Sequence, residues 1–377
     1  MSEQPDLPRV FFAPGKLMLA GEYSVLGPGG LALAVALAQG VEVVAEPAAR
    51  WELGRQETGC RWQEGEPVPD ALRFLEAGWR AACAALGEAR PRPHRLLSRR
   101  VGEVGGGAAK PGIGGSASAC VVAAAAVFGL SGRSLATARR DLLEISRAAH
   151  AAAQGGRGSG YDVATAVHGG LLGWRPGSGV GGPGVASPLT WPAGLAGLAG
   201  SSGRSASTVE LLDRVATQLD PLDVEADYVA LGVPVQALAD ALGRGEVAAV
   251  LAAVRCCQAL LVDWDRRRGL GLVTPELAEL VALAEAAGAA AKISGAGGGD
   301  SVLALAARAE VLATVAERWR AAGFASFPVE PWEGGAEERA PGGGGSSLRA
   351  RPRVRAPRGR GGRGRRGSPT WGRRRQS

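Results

Sequence analysis

Of the 43 basic residues in this 377-residue chain, 40 are arginine and only Lys16, Lys110 and Lys292 are lysine. Each lysine abuts a glycine-rich stretch: Pro14-Gly15-Lys16, Lys110-Pro111-Gly112-Ile113-Gly114-Gly115-Ser116, and Lys292-Ile293-Ser294-Gly295-Ala296-Gly297-Gly298-Gly299-Asp300. A compact ammonium on a flexible stem binds phosphate as a point charge, a different use from that of the planar guanidinium. Lysines kept beside such loops in an arginine-biased chain point to chemistry on phosphorylated, anionic molecules. In the middle loop, Gly112, Gly114 and Gly115 would let backbone N–H groups approach an anion closely. Ser116 then opens a small-residue helix whose positive end faces the same anion. Its hydroxyl is a candidate Mg2+ ligand, as in P-loop proteins. No G-x-x-x-x-G-K-[ST] pattern occurs, so this is not a Walker A loop.

The elements that carry these loops are partly legible. Residues 10–13 read as a strand that stops in a turn at Pro14-Gly15. Residues 17–26 and 31–45 are strand or buried-helix candidates. A helix is expected over 70–86, with Asp70 as N-cap and Gly87 as stop, then over 116–128 and 139–153. Glycine and proline between 176 and 192 mark a domain boundary. Beyond it, helical periodicity covers 208–219, 234–241, 246–263, 275–287 and 310–322, with a strand at 302–306. Past Trp332 the globular pattern ends.

The three loops, in this order and spacing, resemble the GHMP kinases (galactokinase, homoserine kinase, mevalonate kinase and phosphomevalonate kinase) over about residues 8–330. Pro14-Gly15-Lys16 with Gly21-Glu22-Tyr23 is similar to the family's first motif. Residues Gly112 to Ala117 are similar to its G-L-G-S-S-A phosphate loop, and Gly295-Ala296-Gly297-Gly298-Gly299 to its third motif. Gly115 departs from the pattern, standing where most members have the first serine of the pair. Within the family the phosphomevalonate kinase branch is most similar. It places a lysine two positions before the G-L-G-S run, as Lys110 stands here. It also has a Gly-Ser-Gly-(Tyr/Phe)-Asp-Val run, matched by Gly158-Ser159-Gly160-Tyr161-Asp162-Val163, and a third motif ending in Asp, matched by Asp300.

The resemblance implies a two-domain α+β fold, with a ribosomal-S5-like N-terminal α/β domain over 1–190 and a ferredoxin-like C-terminal domain over 191–333. It implies ATP and Mg2+ as cofactors, and phosphorylation of (R)-5-phosphomevalonate in isoprenoid precursor synthesis. Asp162, Lys16 and Lys110 would be catalytic. Gly112, Ile113, Gly114, Gly115, Ser116, Ala117 and Ser118 would hold the nucleotide, with Ser116 on the metal. Ser159, Gly160, Ser207, Thr208, Lys292, Gly297, Gly298 and Asp300 would line the acceptor site. Two of these assignments stay open on their residues alone. The stretch 205–208 is equally a plain helix cap, and Lys292 is equally a solvated helix-end cation. No acidic Mg2+ ligand stands out; mevalonate kinases carry a glutamate upstream of the aspartate, where this chain has His150 and Gln154. The alternative reading is a mevalonate kinase or another small-molecule kinase of the same fold.

Composition bounds the rest. With 46% hydrophobic and 21% charged residues, the chain is globular, which excludes a collagen, an acidic disordered protein or a small disulfide scaffold. Its length suits two domains. Five cysteines without C-x-x-C spacing and three scattered histidines argue against a disulfide framework or a zinc site. No signal sequence is expected, and the longest apolar run, 117–130, is shorter than the roughly 20 residues a membrane span needs. A cytoplasmic protein, monomer or homodimer, is the expectation. The net charge of +7 is uneven: residues 349–377 hold 12 arginines and no acid, leaving 31 basic and 36 acidic residues, about −5, on the body. The segment 334–377 is expected to be a disordered Arg/Gly-rich tail, the one part that would attract nucleic acid.

Overall fold

Two long antiparallel strands, β1 (Arg9–Ala20) and β2 (Ala32–Pro47), organise the first half of the chain. The computed structural model describes residues 7–102, 113–156, 158–177, 183–204 and 208–340. Side chains of β1 alternate between two cores: Phe11, Ala13 and Met18 enter one, Leu17 and Leu19 the other. A strand buried on both faces reads as a continuous apolar run, so sequence alone leaves strand and buried helix undecided there. β1 does not stop at Pro14-Gly15. It passes through with a register shift between the two residues, which corrects the expected turn to a bulge. On the other edge of β1 the pairing reaches only Val10–Phe12, so the N–H that Pro14 lacks is not needed there.

The first domain continues through β3 (Glu52–Arg55), β4 (Cys60–Gln63), α1 (Arg73–Leu86), β5 (His94–Val101), α2 (Gly115–Leu130), α3 (Arg139–Ala153), α4 (Tyr161–His168), β6 (Leu171–Arg175) and β7 (Val185–Leu189). Asp70 heads a short 3-10 turn rather than capping α1, which starts three residues later than expected, at Arg73, and stops at Leu86 with Gly87 as the expected C-cap. α2 is apolar on every side and almost wholly buried, as such a helix must be. The backbone of α1 rests directly on it. A Cβ at Gly78 would lie 2.0 Å from the Cys120 carbonyl oxygen.

β6 and β7 pair with each other, so 176–192 holds a strand of the first sheet as well as the passage to the second domain. That domain comprises β8 (Ala196–Ser201), α5 (Thr208–Gln218), α6 (Pro221–Arg244), α7 (Val247–Arg268), α8 (Pro275–Glu285), β9 (Ala290–Ser294), β10 (Ser301–Ala306), α9 (Ala309–Ala321) and β11 (Ala325–Pro328). Its sheet is antiparallel in the order β11-β8-β10-β9. α7 is long and apolar enough to cross a membrane by length and composition, which corrects the expectation that no segment is. Its buried residues, Val250, Val254, Cys257, Leu261 and Trp264, recur every three or four positions, the spacing of a helix packed on one face.

The chain then returns. Trp332 donates its N–H to the Ala36 carbonyl at 2.9 Å, and Gly170 donates to the Trp332 carbonyl at 2.7 Å. β12 (Glu337–Arg339) pairs with β1. The globular pattern therefore extends past Trp332, and β12 completes a first sheet ordered β12-β1-β2-β5-β3-β4, with β6 also paired to β2 and β7 to β6. Residues 341–377, with the Arg/Gly-rich segment, lie outside the described residues.

Candidate active site

Lys16 sits just past the β1 bulge, where the backbone presses against the start of α2. Its N–H donates to the Ile113 carbonyl at 2.8 Å. Gly15 has no room for a side chain: a Cβ there would be 2.7 Å from that same carbonyl oxygen and 2.8 Å from that of Gln39. Gly114 is the N-cap of α2 in the left-handed region, φ 76°. A Cβ on it would meet Lys16 Cγ at 2.9 Å, so the lysine stem lies across the glycine at the positive end of the helix. Gly114→Ala is expected to cost about 1–2 kcal/mol through the left-handed backbone and to displace Lys16. Turnover should fall about tenfold or more while thermal unfolding shows a folded protein a few degrees less stable.

A second helix start faces the same lysine. Gly158 and Gly160 take φ of 109° and 76°, and Trp174 Nε1 donates to the Ser159 carbonyl at 2.8 Å. This turn places Tyr161 and Asp162 in the first turn of α4. Asp162 Oδ1 accepts from the Val163 N–H at 2.9 Å. Lys16 Nζ lies 5.2 Å from the centre of the Tyr161 ring. Burial works against the Lys16 ammonium, but the Tyr161 hydroxyl, Asp162 and Asp300 outweigh it and hold its pKa above 10.5. Burial raises the Tyr161 pKa against the opposing pull of Lys16. Asp300 reaches this field from the far loop, with a left-handed φ of 62° fixed by its N–H donating to Arg204 O at 2.8 Å.

Ile113, Gly114, Tyr161, Asp162 and Asp300 thus meet around Lys16, and Ser159 and Gly160 lie in the turn that leads into α4. Gly115 opens α2 exposed, with nothing within 4 Å of a Cβ, so the serine most relatives carry there would fit. Ser116 is half-buried, its Oγ 3.2 Å from Nε2 of His150, a buried residue of α3.

Several expected residues are placed otherwise. Ala117 and Ser118 are buried. Ser118 Oγ donates to Pro14 O at 2.8 Å and its N–H to Gly114 O at 3.1 Å. It ties β1 to α2, and both its donors are used there, leaving none for a nucleotide phosphate. Gly298 donates its N–H to Leu272 O at 2.7 Å, and a Cβ at Gly297 would lie 2.7 Å from that oxygen; these two glycines seat the loop on its own domain. Lys292 is neither a helix-end cation nor exposed to a substrate. It lies in β9, 0% exposed, with Nζ 2.5 Å from Glu22 Oε1. Thr208 is exposed at the start of α5. Lys110, Gly112 and Ser207 lie outside the described residues.

Sequence reasoning passed over Tyr161 and Arg147 as site residues. The Arg147 guanidinium stacks 4.9 Å over Trp174, and its Nε would be 2.8 Å from a Cβ at Gly160, so it shapes the turn before Asp162. Its position on α3, one helical turn before His150, was the available signal. Among the described residues no group of three His, Cys, Asp or Glu could hold a metal ion.

A family model for the GHMP kinase C-terminal region matches residues 239–325. A phosphomevalonate kinase of Streptomyces sp. (strain CL190) is 30% identical over 376 residues, spanning 85% of this chain and 96% of that protein. Among solved structures, Streptococcus pneumoniae phosphomevalonate kinase in complex with phosphomevalonate and AMPPNP is similar with a TM-score of 0.72 at 21% identity. The match covers 86% of this chain and 100% of that one. The Lin0012 protein of Listeria innocua gives a TM-score of 0.78 at 21% identity, covering 88% and 99%. The fold is that of the two-domain GHMP kinases.

Proposed function

The chain belongs to the phosphomevalonate kinase family of the GHMP kinases, and from that premise we propose that it transfers the γ-phosphoryl group of ATP to the phosphate of (R)-5-phosphomevalonate. The products are ADP and 5-diphosphomevalonate. The observation that carries the reading is the placement of Lys16 between the N-terminal ends of α2 and α4, beside Asp162.

Phosphoryl transfer asks chiefly for positioning and for neutralisation of charge. In this reading the open start of α2, at Gly114, Gly115 and Ser116, receives nucleotide phosphates, and Lys16 faces the transferred group. The acceptor is a phosphomonoester with a second pKa of about 6, so its attacking oxygen is mostly ionised at neutral pH. Asp162 then orients rather than deprotonates, and Lys110 supplies the extra positive charge that two anions require. Ser159, Gly160, Ser207 and Thr208 border the acceptor.

Mg2+ fits the donors present. It is normally held by few protein oxygens together with substrate phosphates, and the Ser116 hydroxyl, 3.2 Å from His150 Nε2, has a lone pair to offer a cation. Bound there, it would neutralise charge on the nucleotide phosphates. We assign the nucleotide to the domain of residues 1–190 and closure of the acceptor side to 191–333, in a cytoplasmic enzyme.

Coupled ADP release from the purified protein tests the reading against mevalonate, phosphomevalonate and diphosphomevalonate in turn. Turnover is expected with phosphomevalonate well above the other two. Preference for mevalonate would overturn the acceptor and leave the fold as it is.

A further inference from the structure

A buried ion pair joins the first motif to the third. Lys292 Nζ donates to Glu22 Oε1 at 2.5 Å and to the Ile293 carbonyl, and the two side chains are 0% and 5% exposed. The same Glu22 oxygen accepts from the Gly295 N–H at 3.3 Å. Around it, Tyr23 donates its hydroxyl to Ala296 O at 2.6 Å and Ser294 donates Oγ to Met18 O at 2.8 Å. The segment 18–23, which directly continues the strand bearing Lys16, is thereby stitched to 292–296, which opens the loop ending at Asp300.

Resting on the kinase reading above, we propose that Glu22 and Lys292 are positioning residues: their ion pair sets the 295–300 loop against Lys16, so that the loop meets the acceptor in register. Stability alone gives little reason for such a pair, because well-packed apolar residues in its place are often as stable or more so. A buried pair acts where direction matters, since a carboxylate oxygen shared by one ammonium and one N–H fixes both in place. Here the shared oxygen belongs to the first domain, while both donors belong to the second. The loop is anchored to its own domain independently, through Gly298 N–H on Leu272 O and Asp300 N–H on Arg204 O. The Glu22 end joins it to the Lys16 strand, beside the neutral Tyr23–Ala296 and Ser294–Met18 hydrogen bonds, and is the charged one of these three contacts. Lysine suits this position: the fully buried ammonium has one carboxylate oxygen and one carbonyl as acceptors, whereas a guanidinium would bring five donors to the same place.

The test compares the parent with Glu22→Gln and with Glu22→Gln/Lys292→Met, which removes both charges and leaves none unpaired. Thermal unfolding, amide hydrogen exchange and steady-state kinetics are read on each. The double variant is expected to unfold within a few degrees of the parent. Exchange at Gly295 and Ala296 should nevertheless rise about tenfold or more, and KM for phosphomevalonate should rise about tenfold with KM for ATP within about threefold. Glu22→Gln, which keeps an oxygen for both donors, should show the same signature more weakly. Parent-like exchange at 295–296, or kinetics that recover together with stability, would overturn the proposal. So would failure of both variants to fold, since the pair would then serve the whole structure. If the parent does not phosphorylate phosphomevalonate, the functional reading falls, and the exchange measurement still decides the role of the pair.

Discussion

Replacing Lys16 by methionine should lower kcat by about 10³-fold, whereas Asp162→Asn should cost only about tenfold. The inequality follows from the acceptor. Removing one preorganised electrostatic contact from a phosphoryl or acyl transfer site costs on the order of 10²–10³ in turnover, and a lysine held between two helix N-termini is such a contact. A general base contributes on the order of 10²–10⁴ when a proton must leave in the transition state, but an ionised phosphate has none to lose. Tyr161, Asp162 and Asp300 together also outweigh burial and keep Lys16 protonated, its pKa raised above the usual lysine value. The ammonium persists below its raised pKa and is lost only as pH climbs through it. The alkaline limb of the rate profile should therefore not come from Lys16, and Asp162→Asn should move that limb little. Steady-state kinetics from pH 6 to 10 on the parent and both variants check this. A larger loss for Asp162→Asn than for Lys16→Met would mean that deprotonation is rate-determining, which points to an alcohol acceptor.

The fold was legible where one physical signal dominated. α3 occupies 139–153 because its periodicity had no competing interruption. Proline misled in two places for opposite reasons. In β1, Pro14 reads as a stop, yet Gly15 beside it permits a bulge that brings Ile113 and Gln39 carbonyls against the backbone. In α6, Pro234 reads as a start, yet it lies inside a helix whose true beginning is Asp220-Pro221, with Asp220 Oδ1 accepting from the Leu222 N–H at 2.9 Å. That cap followed by proline was present in the sequence and is the stronger signal. β12 gave no local sign, because three residues without apolar alternation become a strand only when the edge of β1 is there to receive them.

At the site, four glycines were readable because each has a geometric reason in the structure: Gly15 and Gly114 for close approach, Gly158 and Gly160 for left-handed backbone; Gly115 has none. Side-chain roles were less so. Ser118 and Lys292 were drawn into the site by their motifs, and both spend their polar atoms on contacts between elements distant in sequence. Such partners are fixed by tertiary packing, which motif spacing does not encode. Lys292 is instructive in another way. The scarcity of lysine drew attention to it as a ligand contact, while the structure gives its ammonium a buried protein partner, Glu22.

Lys110→Ala should lower kcat/KM for phosphomevalonate by about 10²-fold, and the loss should appear with this acceptor far more than with mevalonate. Two phosphate groups that must come within bonding distance repel each other. At an effective dielectric of 20, one unit charge 4 Å from another is worth about 4 kcal/mol, close to three decades in rate; partial exposure to solvent and salt reduces this. Lys16 alone, already facing Asp162 and Asp300, leaves little positive charge for a second phosphate. An additional lysine two positions before the glycine run answers that deficit. Lys110→Arg should recover only part of the loss, because a guanidinium fork carries the charge on a broader, planar head. Because the contribution is a long-range charge effect, the parent should lose kcat/KM as ionic strength rises from 0.02 to about 0.5 M, and Lys110→Ala should lose less. Activity of Lys110→Ala within a few-fold of the parent at low salt would remove Lys110 from the reaction and shift the burden of neutralisation to Mg2+ and the helix ends.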